Sequence, residues 1–172
     1  ALLGQSFLIQ WRLDRGFDGS HVLTARVQLP ATRDSAAART AAFDEILTRI
    51  RQRSGVRAVG LSDAIPLGGS ERRFASTARE PGREPRTISA LLREVTPGYF
   101  AAIGMRVSAG RVLADGDTLN GELVAVVNRT FARRYLGAAP VGELLPVAIE
   151  NTRDDVQKWK IVGVLDDVLR GN

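Results

Sequence analysis

Apolar positions between residues 35 and 54 follow the spacing of an amphipathic helix. They recur at intervals of three and four, which places them on one helical face: Phe43, Ile46, Leu47 and Ile50. Asp34 or Ser35 can cap the start of this helix, because a short polar side chain accepts a hydrogen bond from a free backbone N–H there. Gly55 can supply the left-handed residue after the last turn.

Short runs with strand composition flank this helix on both sides. Residues 22–29 are rich in Val, Thr and Leu and end at Pro30, and residues 56–61 form a second short apolar run. The pattern predicts a β-α-β unit. If both strands lie parallel in one sheet, the connection between them should be right-handed.

The middle of the chain combines a long irregular stretch with a well-marked short helix. Residues 66–85 are rich in Gly, Pro, Ser and Arg and predict a long loop or a weak hairpin, and residues 88–95 return to strand. Thr96 is expected as the N-cap of the next helix, Pro97 at its first position and Gly104 after its end. The apolar residues of that helix should anchor it in the core: Tyr99, Phe100 and Ile103.

The last part of the chain predicts four further strands and one helix. Residues 105–109 form a strand with a turn at 110–111, and residues 123–127 form a fully apolar strand. Asn128 is a candidate N-cap for a helix that holds Phe131 and Tyr135. Residues 144–149 and 156–164 predict a hairpin, with Trp159 and Ile161 on one face of its second strand. The whole pattern indicates an α+β fold with about seven strands.

Composition excludes several kinds of chemistry. The 172 residues contain no Cys and a single His, so thiol catalysis, disulfides and cysteine-based metal sites are impossible. His21 has no nucleophile paired with it in any pattern, and the glycine-rich segments match neither the P-loop nor the dinucleotide motif. Six aspartates could be imagined as metal ligands, but their spacing fits no calcium loop: Asp115, Asp117, Asp154, Asp155, Asp166 and Asp167. We therefore predict no catalytic, cofactor-binding or metal-ligating residue, no cofactor and no enzymatic activity.

The charge balance is basic, with 24 Lys and Arg against 19 Asp and Glu and a net charge of +5. This excess raises the hypothesis of a surface for nucleic acid or anionic lipid. Between residues 71 and 94, however, Arg and Glu alternate, and no aromatic pattern typical of RNA-binding modules occurs. The densest basic group consists of Arg49, Arg51, Arg53 and Arg57 near the end of the predicted helix, where cations are favourable. We expect mainly a solvated surface of mixed charge.

Several short motifs follow one another in a characteristic order. T-P-G-Y-F occurs at residues 96–100, G-R at 110–111, V-V-N at 126–128 and I-V-G-V at 161–164. In this order, over almost the whole chain, the sequence resembles the MacB-like periplasmic core domain of ABC transporter permeases, and in particular FtsX-like permeases of the acidobacterial type.

The resemblance implies an architecture. It predicts a porter-like part built of β-α-β units and a smaller mixed α/β lobe called Sabre. Residues 1–17 would be the exit of a preceding transmembrane helix, in keeping with the apolar stripe of Leu3, Phe7 and Trp11, with residues 18–109 as the porter-like part and residues 110–172 as the Sabre-like lobe.

The resemblance also implies a function without chemistry. We expect a periplasmic domain of an inner-membrane protein that transmits ATP-driven conformational change to a periplasmic partner or cargo, in export or in work on the cell envelope. The implied partners are a cytoplasmic ABC ATPase subunit, a periplasmic adaptor or cargo and a second permease copy, with no nucleic acid. An extracytoplasmic ligand-sensing domain is the alternative, and a basic nucleic-acid-binding module is a more distant one.

Overall fold

The computed structural model describes residues 21–30, 35–64, 72–78, 86–118, 121–149 and 157–168. The helices are α1 (Ala36–Arg51), α2 (Gly98–Ala102) and α3 (Arg129–Phe131), and α3 continues into a wider π-helical turn, Ala132–Leu136. The strands are β1 (Arg72–Ala78), β2 (Arg86–Leu92), β3 (Val107–Gly110), β4 (Val124–Asn128), β5 (Leu144–Ile149) and β6 (Gln157–Leu165). None of the helices in these ranges is long and apolar enough to cross a membrane.

All six strands belong to one mixed sheet. Its main path runs β2-β1-β5-β6-β3, with antiparallel pairing at every step, and β4 pairs with β6 in parallel. Lys160 of β6 pairs with both Val124 of β4 and Leu144 of β5, so β4 and β5 lie on opposite edges of β6. The first half of β6 therefore contacts β5, its second half contacts β3, and β4 covers the other edge.

Strand β6 is the longest in the sheet and crosses most of it. Its nine residues span about 26 Å at the usual rise of a strand. The Gln157 end lies beside β5, which carries the β1–β2 hairpin, and the Leu165 end lies beside β3. The strand therefore connects the part of the sheet that holds β5 to the part that holds β3.

A bulge in the β4–β6 pair changes which side chains face which layer. Ala125 pairs with Ile161, but Val126 pairs with Gly163, so Val162 is the extra residue. Ala125 and Ile161 belong to one apolar cluster, whereas Val126 belongs to another. Because neighbouring residues of a strand point to opposite faces, the two clusters lie on opposite faces of the sheet. Both faces of β6 are covered there, and all five residues from 161 to 165 are buried.

The hairpin-side cluster contains five buried residues: Ile88, Phe131, Leu145, Val147 and Ile161. The second, which we name the chain-end cluster, contains Tyr99, Phe100, Ile103 and Leu165, with Val22 packed against it.

Most elements with a strong local pattern are confirmed. Helix α1 begins after Ser35, whose hydroxyl accepts a hydrogen bond from the Ala38 N–H at 3.1 Å. Strands β5 and β6 pair antiparallel, as predicted for residues 144–149 and 156–164, and Trp159 packs with Ile161 on one face. Residues 66–85 were expected as a loop or a weak hairpin. Of these, 72–78 form β1, which pairs antiparallel with β2 in the segment expected as a strand, and the others lie outside the described residues.

The flanking strands of the predicted β-α-β unit are wrong. Within the described residues, 22–29 pair with no strand. Leu23 is 94% exposed, and Val22 packs against the chain-end cluster without a strand partner. Residues 56–61 also lack a ladder. They lead into a single antiparallel bridge between Ser62 and Val95, because a close approach of Gly60 to α2 replaces regular pairing.

Two side-chain predictions also need correction. Thr96 does not cap α2, because its hydroxyl instead accepts a hydrogen bond from the Leu61 N–H at 2.8 Å. Ile50 was expected on the inner face of α1 but is 39% exposed, and Ala42 is buried in the helix together with Leu47.

The division of the chain at residues 17 and 109 stays a prediction. The sheet itself takes β1, β2 and β3 from the predicted porter-like part and β4, β5 and β6 from the predicted Sabre-like lobe.

Candidate functional site

Both ends of the described chain come together at the chain-end cluster. Val22, near the first described residue, is half-buried against Tyr99, Phe100 and Ile103, and Leu165 is the last residue of β6 in the same cluster. The short helix α2 supplies Tyr99 and Phe100, which pack edge to face with ring centroids 5.8 Å apart, and Ile103 follows as its C-cap. Residues from the beginning and from the end of the described chain thus contact one apolar core.

Two aspartates follow β6 directly, and the first of them binds the start of β3. The Asp166 N–H donates to the Arg106 carbonyl at 3.0 Å, and its carboxylate accepts from Arg106 Nε at 3.1 Å and from the Ser108 hydroxyl at 2.5 Å. Arg129 Nη2, at the start of α3, donates to the same carboxylate and to Ser108 Oγ. Asp166 therefore joins β6 to β3 and to α3.

The second aspartate binds the junction of β4 and α3. Asp167 Oδ1 accepts from Asn128 Nδ2 at 2.6 Å and from the Thr130 N–H at 2.8 Å, while Oδ2 accepts from the Thr130 hydroxyl at 2.8 Å. Arg133 lies 3.8 Å away as an ion-pair partner. The Asn128 side-chain oxygen accepts from the Phe131 N–H, so Asn128 is the N-cap predicted from sequence and also a donor to Asp167. We call Asp166 and Asp167 the aspartate pair.

The electrostatics of the pair favour structural binding over proton transfer. Hydrogen bonds from Ser108 and Arg106 hold the pKa of Asp166 below its ordinary value. A general acid at neutral pH needs the opposite shift. The carboxylate therefore stays ionised and serves as a fixed partner for the cations around it.

The contact between β3 and β6 is unusually close because of two glycines. Gly110 has a φ of +68°, and a Cβ there would lie 2.3 Å from the Val162 carbonyl oxygen. A Cβ on Gly163 would lie 1.9 Å from the Arg111 carbonyl oxygen. Beyond this crossing, Arg111 forms a two-pronged ion pair with Asp117, at 2.6 and 2.9 Å, which lowers the pKa of Asp117.

Where the structure describes them, the aspartates that the sequence suggested as metal ligands bind other groups or, as with Asp115, are exposed. Asp117 binds Arg111, Asp166 and Asp167 bind the arginines and polar groups given above, and Asp154 and Asp155 lie outside the described residues. Among the described residues no three His, Asp or Glu side chains come together as a metal site. His21 is exposed.

Sequence reasoning listed the aspartate pair but missed its partners, Arg106, Ser108, Asn128, Thr130 and Arg129. The sequence did contain a pattern that could have predicted that Asn128 lies near the aspartate pair. Asn128 and Asp166 each follow an apolar strand, and the carboxyl ends of neighbouring parallel strands lie side by side. Parallel pairing of those two strands would have predicted that the two side chains are neighbours.

Comparison with known proteins agrees with this architecture. A family model described as the MacB-like periplasmic core domain matches residues 10–172. The extracellular domain of the noncanonic ABC-type transporter YknZ from Gram-positive bacteria is similar in structure, with a TM-score of 0.51 and 20% identity over 73% of this chain and 58% of that one. The periplasmic region of MacB from Actinobacillus actinomycetemcomitans gives a TM-score of 0.47 and 18% identity over 72% of this chain and 50% of that one. No curated protein sequence matches the chain.

The predicted α+β fold is confirmed, with six strands of the described residues in one mixed sheet. The chain belongs to the family of MacB-like periplasmic core domains of ABC transporter permeases. It is a periplasmic domain of such a permease, and this family is not a known class of enzyme. The chain spans little more than half the length of the structures that it resembles.

Proposed function

We propose that this domain does no chemistry of its own and transmits ATP-driven conformational change from the membrane part of a permease to a periplasmic partner or cargo. In this proposal the energy comes from a cytoplasmic ABC ATPase subunit, and residues 1–17 lead out of a preceding membrane helix. The partner in the periplasm is an adaptor or a cargo molecule, and two permease copies work together.

One observation carries the proposal. Val22 and Leu165, which lie far apart in the sequence, contact the same apolar cluster, and β6 runs from that cluster to its pairing with β5. A displacement applied near either residue therefore acts on a single packed core. It reaches the far end through one strand that is hydrogen-bonded on both edges and buried on both faces over residues 161–165.

The aspartate pair strengthens the joint where β6 ends. Asp166 and Asp167 accept charge-assisted hydrogen bonds from β3, β4 and α3, and such bonds are about twice as strong as neutral ones. A force applied to the chain at residue 168 would therefore act on β3, β4 and α3 together. A rigid joint of this kind suits a lever, whereas an active site needs groups with pKa values poised for proton transfer.

The test uses the full-length permease with its ATPase in lipid nanodiscs. The 172-residue chain has no Cys, so a spin label at Lys158→Cys, an exposed position at the far end of β6, adds no competing site in this domain. A second label in the membrane part gives a distance with and without nucleotide. We expect the distance to change on ATP binding, and a distance distribution that is identical in both states would contradict the proposal.

A further inference from the structure

A group of arginines at the end of α1 is not used by the proposed lever. Arg49 and Arg51 lie in the last turn of the helix, and Arg53 and Arg57 follow it. We call these four residues the arginine tip. All four are exposed, and no acidic residue occurs between positions 46 and 62. The tip is therefore a local patch of positive charge.

Most of this charge lacks a counter-ion. Arg49 pairs with Glu45 at 2.6 Å, but the part of the chain that the structure describes offers no ion-pair partner to Arg51, Arg53 or Arg57. The helix C-terminus favours cations only within its last turn, so it accounts for Arg51 and not for Arg53 or Arg57.

Apolar side chains are exposed within the same patch. Ile50 is 39% exposed and Val56 is 36% exposed, and each lies between arginines in the sequence. A surface that combines arginines with exposed aliphatic side chains has the chemistry of the interface between lipid headgroups and acyl chains.

The arginine tip lies close to helix α2, which forms part of the chain-end cluster. Arg51 Nη2 lies 3.9 Å from the place that a Cβ on Gly98 would occupy, and Gly98 is the first residue of α2. Helix α2 is only five residues long and supplies Tyr99 and Phe100 to the chain-end cluster. Arg51 of the arginine tip thus lies beside the helix that supplies two residues of the chain-end cluster.

From this arrangement we propose that the arginine tip binds the anionic headgroups of the membrane to which the domain is joined. The inference rests on the proposed function, because it takes the chain-end cluster as the membrane side of the domain. Each arginine near an anionic surface contributes a factor of about five in binding, and the charges together orient the domain on the bilayer.

The experiment measures binding of the 172-residue chain to vesicles by flotation. Vesicles of phosphatidylcholine alone are compared with vesicles that also contain phosphatidylglycerol. We expect binding only to the anionic vesicles, with a decrease as salt is added, because exposed charges are screened. The variant R51Q/R53Q/R57Q should bind between about tenfold and a hundredfold more weakly, whereas R51K/R53K/R57K should bind nearly as well as the parent.

A matched pair of single variants tests the location. Arg53→Gln and Lys158→Gln remove one positive charge each, at the tip and at the far end of β6 respectively. We expect about a fivefold loss for Arg53→Gln and no change for Lys158→Gln. Equal losses would mean that net charge alone drives binding, and that result would overturn the proposal.

Two further results would also overturn it. One is the absence of binding to anionic vesicles at low salt. The other is tighter binding of a single-stranded oligonucleotide, lost in the same triple variant, because the tip would then be a nucleic-acid surface. Failure of vesicle binding would leave the nucleotide-driven motion of a label at residue 158 unchanged, so the two proposals fail separately.

Discussion

Replacing Gly163 by Ala should break the closest contact in the sheet. The new Cβ would lie 1.9 Å from the Arg111 carbonyl oxygen. Carbon and oxygen atoms normally approach to about 3.3 Å, so the two backbones must separate by about 1.4 Å. The hydrogen bond from the Arg111 N–H to the Val162 carbonyl is 2.9 Å long, and such a shift would take it beyond bonding distance.

The expected cost combines two contributions. Overpacking typically costs about 1–3 kcal/mol, and a buried backbone group left without its partner costs about 1–3 kcal/mol. We expect Gly163→Ala to lower the free energy of unfolding by about 3 kcal/mol, which for a chain of this size lowers Tm by about 6–12 °C. Urea unfolding followed by Trp fluorescence, with Trp159 in β6 as a reporter, measures the free energy directly.

Alanine substitutions at two other glycines serve as controls, because they remove a glycine without creating a steric clash. A Cβ on Gly116 or on Gly142 would meet nothing within 4 Å, but Gly142 has a φ of +95°. Gly116→Ala should therefore be neutral or slightly stabilising, and Gly142→Ala should cost about 1 kcal/mol from backbone strain alone. If Gly163→Ala were as stable as Gly116→Ala, the close packing of β3 on β6 would be refuted.

Three further outcomes follow from the same structure. Ile161→Ala, at a fully buried position in the middle of β6, should lower the free energy of unfolding by about 2–5 kcal/mol. Leu23→Ala, at a 94% exposed position, should change it by less than about 0.5 kcal/mol. Equal effects in urea unfolding would contradict the assigned core. Asn128→Ala removes both the α3 cap and a donor to Asp167 and should cost about 1–2 kcal/mol in the same assay, and an unchanged midpoint would argue against this double role. The lowered pKa of Asp166 means that its ionised form stabilises the folded state fully above the unfolded value of about 3.9 and less as pH falls through the lower folded value. The difference in Tm between the parent and Asp166→Asn should therefore shrink below about pH 4, and a difference that persists unchanged in stronger acid would contradict this reading.

Local signals in the sequence predicted the elements that local interactions build. Ser35 and Asn128 are followed by helices and accept the hydrogen bonds expected of N-caps. The alternation around Trp159 and Ile161 gave the correct inner face of β6, because both side chains enter one cluster. In these cases the determining contacts lie within a few residues of each other along the chain.

Features that depend on partners far away in the sequence could not be predicted from local patterns. Residues 22–29 have strand composition, but a strand also needs a hydrogen-bonding neighbour, and the described chain places none beside them. Thr96 has the residue type of a cap, yet Leu61, 35 positions earlier, takes its hydroxyl.

The joint at the end of β6 is non-local in the same sense. Asp166 is bound by residues 37 to 60 positions away in sequence. Its aspartates were visible in the sequence, but the pairing of β4 with β6 that gathers their partners was not.

The central claim is that β6 and the aspartate pair hold the exit of the chain rigidly to the rest of the domain. It is tested most directly by the distance between spin labels at Lys158→Cys and Val168→Cys, in the full-length permease with its ATPase. The two positions are ten residues apart, seven of these residues in β6, and extended chain of that length spans at most about 33 Å. Asp166→Asn combined with Asp167→Asn is the test variant, and Glu122→Gln, which removes an ion pair to Lys160 elsewhere on β6, is the matched control.

We predict one narrow distance distribution for the parent and for the control, unchanged by nucleotide. In the double aspartate variant the distribution should broaden, and the motion of the far end relative to the membrane should decrease. A parent distribution that broadens or shifts on ATP binding, or a double variant as narrow as the parent, would contradict the account.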